Sequence, residues 1–161
     1  MSRVNEMVTE LPDNAGVRHP PPVPYVLAML AGALVHRWWP RGARPEGWLP
    51  LGVTLVAIGV ALMLWAKASF DAKHTPLEPW RSTEALVDSG PYAYSRNPIY
   101  LSFALIEVGV GVWADVRAIV LLTVVPMVMT ARFVVPREEA YLRRKFGVAY
   151  DGYCSRVRRW F

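Results

Sequence analysis

Only one cysteine, Cys154, occurs in the 161 residues, so neither an intrachain disulfide nor a cysteine-built metal site can form. No histidine lies near it in sequence, and a passive thiol is the expected role. The three histidines have no Cys, Asp or Glu at metal-ligand spacing, so no metal is expected. The N-terminus lacks a basic segment followed by an apolar core, and no cleavable signal peptide is expected. Charged residues are sparse at 19%, and their balance is +5. Much of the excess sits near the C-terminus, in Arg137, Arg143, Arg144, Lys145, Arg156, Arg158 and Arg159. Beside long apolar runs, such a cluster points to anionic headgroups of a bilayer rather than to nucleic acid.

What the sequence has in abundance is apolar surface, with 53% hydrophobic residues gathered into four blocks. That pattern predicts an all-α integral membrane protein forming one domain over 23–161, behind a polar lead-in at 1–22. Spans are expected near 23–39, 48–68, 99–113 and 118–135, followed by a tail at 136–161. The first block is short, since a straight crossing takes about 20 residues, but Trp38 and Trp39 suit an interfacial belt. Gly52 and Gly59 suit close helix contact. The turn Ala114-Asp115-Val116-Arg117 is so short that the third and fourth blocks must form an antiparallel hairpin. Pro126 removes a backbone donor and is expected to kink the fourth.

The connector 69–98 is too polar for lipid and too long for a simple turn, which marks it as functional or disordered. Within it, Ser82–Val87 is expected to form a short surface helix or turn. The basic tail places the C-terminus in the cytoplasm, in the inner membrane if the cell is bacterial. Four spans then put the N-terminus and the 69–98 connector on the same side. Arg37, Arg41 and Arg44 in the first connector oppose this assignment, but the tail's excess is larger.

Two polar clusters therefore share one membrane face. The first, Gly90-Pro91-Tyr92-Ala93-Tyr94-Ser95-Arg96-Asn97-Pro98-Ile99-Tyr100, opens the third block; the second, Arg137-Glu138-Glu139, follows the fourth. Polar groups buried without partners cost roughly 2–7 kcal/mol each, so these clusters are expected to hold a ligand.

Together with Phe146-Gly147-Val148-Ala149-Tyr150-Asp151-Gly152-Tyr153, they resemble the membrane methyltransferases that include isoprenylcysteine carboxyl methyltransferase and the phospholipid N-methyltransferases. That family's pattern is Gly-x-Tyr-x-x-x-Arg-His-Pro-x-Tyr, then a Glu-Glu pair, then Phe-Gly-x-x-Tyr-x-x-Tyr. The resemblance extends over about 74–161. It implies S-adenosylmethionine at the cytoplasmic end of the hairpin, held by Tyr92, Asn97, Pro98, Tyr100, Glu138 and Glu139, with Glu84, Ala85, Leu86 and Val87 covering part of the nucleoside. It also implies a lipid-like or prenylated acceptor drawn from the bilayer. Asn97 replaces the usual histidine; it keeps a donor and an acceptor but does not titrate near neutral pH. Carboxyl, amine and thiol acceptors all stay open.

Arg132, one to two turns before the acidic pair, is a candidate catalytic residue that would orient an acceptor's carboxylate or phosphate; its bland alternative is snorkelling to headgroups. Glu107, inside the third block, is the second candidate, since an ionisable group in a span is a functional hypothesis by default. It would line the acceptor channel or sit protonated against a neighbouring helix. Gly109-Val110-Gly111 reads first as helix packing and second as part of a cofactor site. Arg96 reads as a phosphate clamp or a partner for Glu138 or Glu139. Tyr150 and Tyr153 read as a lid over the cofactor or an interfacial belt, and His74 as interfacial. Two rival functions remain: a non-catalytic scaffold or lipid-binding module, and a membrane reductase.

Overall fold

The structure is a computed structural model that describes residues 13–17, 20–38 and 45–160. Trp39, Arg41 and Arg44, which entered the reasoning on spans and topology, lie outside the described residues, as does His19. Every regular element among those described is helical. Helix α1 (Pro22–Val35) begins on prolines, whose fixed φ suits a first turn, and ends in a 3-10 turn at His36–Trp38. Helix α2 is Trp48–Ala72, and α3 is Pro98–Trp113 with Pro98 in its first turn. Helix α4 is a single rod, Arg117–Phe146, and α5 is Val148–Arg156.

Each predicted block is helical, and two helices, α2 and α4, are long and apolar enough to cross a membrane. Helices α1 and α3, with 14 and 16 residues, are shorter. Helix α2 runs beyond the expected end at 68 because Lys67 and Asp71 pair one turn apart, Nζ to Oδ2 2.6 Å, and carry it onward. The rod α4 contains two irregularities, and each precedes a proline that lacks an N–H. Pro126 cannot bond to the carbonyl of Leu122, and regular helix lapses at Thr123. Pro136 has the same effect on Arg132, and residues Thr130–Val134 form a π turn instead. The first irregularity follows from the sequence reading; the second was not anticipated.

Helices α2 and α3 run antiparallel and touch through glycines. A Cβ on Gly59 would come 3.0 Å from the Ser102 carbonyl, one on Gly52 would come 2.8 Å from that of Gly109, and one on Gly109 would lie 2.8 Å from the Val56 nitrogen. Gly111 faces α4, where a Cβ would meet Val120 at 2.8 Å. Gly109 and Gly111 thus sit in helix–helix contacts. Helix α1 leans on α4, with Gly32 against Ile119. The large apolar side chains point outward: Leu27, Leu30, Leu64, Leu121 and Phe133 are all exposed. Small residues inside and large apolar residues outside is the arrangement that lipid stabilises.

The connector between α2 and α3 wraps back over the end of the bundle. Ser82–Val87 forms neither the helix nor the turn expected of it. Its backbone donors are engaged elsewhere: Glu84 and Ala85 donate to the Thr75 hydroxyl at 2.8 and 3.4 Å, and Thr83 to the Tyr141 hydroxyl at 2.9 Å. Gly90, at φ +62°, presses on Ser69, a place where a side chain would be strained and would also clash. Gly147 breaks the rod at φ +50°, and α5 folds back to pack Tyr150, Tyr153 and Val157 against Leu86, Leu142 and Phe146.

Candidate active site

The hairpin geometry brings the two polar clusters into contact. Tyr100, in the first turn of α3, donates its hydroxyl to Glu138 Oε1 on the rod at 2.7 Å. Both face a cavity of about 280 Å³ at the end of the bundle. Its aromatic lining comes from Phe70, Trp80, Tyr92, Phe103, Tyr141, Tyr150 and Tyr153. Apolar side chains of the connector, among them Leu77, Leu86 and Val87, form another wall.

Packing fixes the tyrosines. Tyr153 donates to the Tyr92 carbonyl at 2.8 Å, and the Tyr92 ring meets Phe70 edge-on at 5.4 Å. Burial pushes the Tyr92 phenol above its ordinary range, and the nearby Glu138 carboxylate adds to the shift. Burial does the same to Tyr150 and Tyr153. All three therefore remain protonated at neutral pH, as donors and neutral aromatic faces.

The neighbouring carboxylate, Glu139, is engaged by the chain itself. Arg159 grips it at two points, Nε to Oε1 3.0 Å and Nη2 to Oε2 2.6 Å, and Arg96 approaches Oε1 at 3.4 Å. Of the two readings for Arg96, the structure supplies the ion-pair partner, Glu139; the guanidinium also touches Cys154. The final residues are strapped to the 95–97 turn. Arg96 donates its backbone N–H to the Arg158 carbonyl at 3.1 Å, and Asn97 donates Nδ2 to the Arg159 carbonyl at 2.9 Å.

The N-terminal lead-in closes another side. Asp13 accepts from Lys145 at 2.9 and 2.8 Å and from Ser82 at 2.6 Å, while Tyr141 donates to its Oδ1 at 3.3 Å. Ala15 is tied to the Pro79 carbonyl at 3.1 Å. This clasp joins the lead-in, the connector and α4, and it sets Ala15, Pro21 and Pro22 in the cavity wall.

Of the residues expected at a cofactor site, Ala85, Leu86, Val87, Tyr92, Asn97, Tyr100 and Glu138 line the cavity. Three others do not. Glu84 is exposed, Pro98 is buried in the first turn of α3, and Glu139 is held in its ion pairs. Arg132 is exposed on the π turn, away from the cavity lining, and Glu107 is buried deeper in the bundle. Phe70, Trp80, Phe103, Tyr141, Leu142 and the N-terminal residues were missed. The Pro79-Trp80 step, an aromatic set beside a proline in a polar connector, was the available clue.

A partly buried carboxylate, aromatic walls and long apolar helices with large side chains facing outward mark a membrane protein with a candidate small-molecule cavity. A model of the phospholipid methyltransferase family matches residues 48–149. The chain is also 32% identical over 142 residues to protein-S-isoprenylcysteine O-methyltransferase B of Arabidopsis thaliana, covering 83% of this chain and 71% of that relative. No solved structure matches the chain. The chain belongs to the phospholipid methyltransferase family, and it is a methyltransferase.

Proposed function

We propose that the protein transfers a methyl group from S-adenosylmethionine, held in the cavity, to a lipid-like acceptor carrying a carboxyl, amine or thiol. The contact between Tyr100 and Glu138 carries this reading, because it puts a partly buried carboxylate with one protein hydrogen bond inside an aromatic cavity. A carboxylate there is costly to desolvate unless a positive or hydrogen-bonding ligand meets it. The cofactor fits, for it offers an ammonium, ribose hydroxyls and a sulfonium that aromatic faces attract by about 0.5–2 kcal/mol. When bound it would supply an already activated methyl, the acceptor's lone pair forming the new bond to carbon as the S–C pair returns to sulfur.

The chain's own task is then placement and exclusion of water. Glu138 and Asn97 accept from the nucleoside or amino-acid part; Tyr92, Tyr150 and Tyr153 enclose it; Ala85, Leu86 and Val87 cover it. Glu84, Pro98 and Glu139 act from the rim, Pro98 by starting α3 and Glu139 by holding the tail. Arg132 orients the acceptor's anionic group near the headgroups, and Glu107 belongs to the acceptor path. We read α1 to α4 as four crossings, with both termini and the cavity on the cytoplasmic side.

Titration of S-adenosylhomocysteine into the full-length protein in nanodiscs tests the reading. Micromolar binding is expected, weakened at least about tenfold by Glu138→Ala or Tyr92→Ala, the scale of one lost hydrogen bond to a charged group. No binding by the native protein, or a preference for a reduced nicotinamide, would sink it.

A further inference from the structure

One backbone atom joins the end of the chain to the mouth of α3. The Arg159 carbonyl accepts from Asn97 Nδ2 at 2.9 Å and from the Ser95 hydroxyl at 3.4 Å. A carbonyl can only accept, so it settles which arm of the Asn97 amide carries nitrogen and which carries oxygen. That carbonyl is held in turn by its own side chain, because the Arg159 guanidinium grips Glu139 on α4 at 3.0 and 2.6 Å. Arg159 thus ties the rod, one residue from Glu138, to the turn that carries Asn97. Arg159 itself is absent from the cavity lining.

Asn97 forgoes a bond in this arrangement. It is the N-cap of α3, where an asparagine oxygen ordinarily accepts from a backbone N–H of the first turn. No side-chain cap bond forms here. The side chain turns to Arg159 instead, is 6% exposed, and belongs to the lining. With its nitrogen committed, the oxygen is the polar atom that Asn97 can offer to a ligand. Several lining neighbours are in the same state. Tyr100 spends its proton on Glu138, Tyr153 on the Tyr92 carbonyl and Tyr141 on Asp13. With the Glu138 carboxylate, these groups present acceptors, and a ligand that meets them must bring the donors.

We propose that Arg159 is a positioning residue for the methyl-donor site, turning Asn97 so that its amide oxygen accepts an N–H or O–H of the cofactor, from its ammonium or a ribose hydroxyl. The tail then shapes recognition from outside the cavity, and its effect passes through Asn97. The inference rests on the methyl-transfer reading, which supplies the cofactor.

A double-mutant cycle tests it. S-adenosylhomocysteine is titrated by calorimetry into the full-length protein in nanodiscs, as the native chain, Asn97→Ala, Arg159→Ala and the double variant. Each single variant is expected to bind about fivefold more weakly, the scale of one hydrogen bond. The double variant should bind no more weakly than Asn97→Ala. Arg159→Lys keeps a cation against Glu139 and should fall between the native protein and Arg159→Ala; run in both Asn97 backgrounds, it closes the same cycle if the alanine variant does not fold. Losses that multiply to about 25-fold in the double variant overturn the proposal, since a role in the fold alone weakens binding in either background. Native affinity in Arg159→Ala overturns it too. The desamino, 2′-deoxy and 3′-deoxy analogues of S-adenosylhomocysteine identify the donor, because the analogue lacking it is bound no more weakly after Asn97→Ala. If all three still respond to Asn97→Ala, the amide oxygen meets neither group and the proposal falls. Failure of the native protein to bind S-adenosylhomocysteine at all overturns the methyl-transfer reading, and this assignment with it.

Discussion

Glu138 and Glu139 are adjacent in sequence and opposite in duty, because successive residues on a helix point about 100° apart. One meets Tyr100 in the cavity; the other, itself off the lining, meets Arg159 and the lining residue Arg96. Sequence reading alone assigned both to the cofactor, since nothing in Glu-Glu says which way each faces. The difference is testable. Glu139→Ala should lower the thermal midpoint more than Arg159→Ala, for it strands Arg96, whose side chain is 14% exposed, whereas Arg159 at 44% can turn to water. Fluorescence-detected melting in detergent checks the order. The buried tyrosines give a pH signature. Their native phenols lie above the ordinary 10, so below that value both folded and unfolded chains keep the protons and stability is full. As pH rises past 10 the unfolded chain loses protons first, and stability should fall. Circular dichroism in nanodiscs should show alkaline unfolding above pH 10.

Helices were the most legible elements, because an apolar run bounded by proline or charge leaves few other choices in lipid. Their ends were less legible. Lys67–Asp71 extends α2, and Pro136 makes a π turn, through pairings one turn apart that composition hides. The Ser82–Val87 stretch could not be settled from its residues, since its shape is set by Thr75 and Tyr141 from elsewhere in the chain. The glycine contacts, by contrast, follow from the wish of two membrane helices to approach closely. Gly52→Leu should destabilise the α2–α3 pair by about 1–3 kcal/mol, because the new side chain meets the backbone of Trp113 and Gly109 rather than a movable neighbour. Unfolding in mixed micelles, followed by tryptophan fluorescence, measures it.

At the scale of the molecule, one end of the bundle carries the candidate site and the rest is a body with large apolar side chains facing outward. The proposed four-span arrangement with cytoplasmic termini predicts a labelling pattern. With Cys154→Ser as background, a cysteine placed at Ser155 should react with an impermeant maleimide only after the membrane is opened. Reaction in intact cells would reverse the topology. The end that bears the site was legible in sequence from the shared side of two polar clusters; the cavity's third wall was not, since it comes from the lead-in through contacts more than 120 residues apart, such as Lys145 with Asp13. The family's common region, 48–149, does not include that lead-in, yet Asp13 clasps it against the site and Ala15, Pro21 and Pro22 help to bound the cavity. The family region that holds Tyr100 and Glu138 is thus combined with a separate panel. Exchanging the first two dozen residues between relatives is a way to reshape what the cavity admits without altering Tyr100 or Glu138.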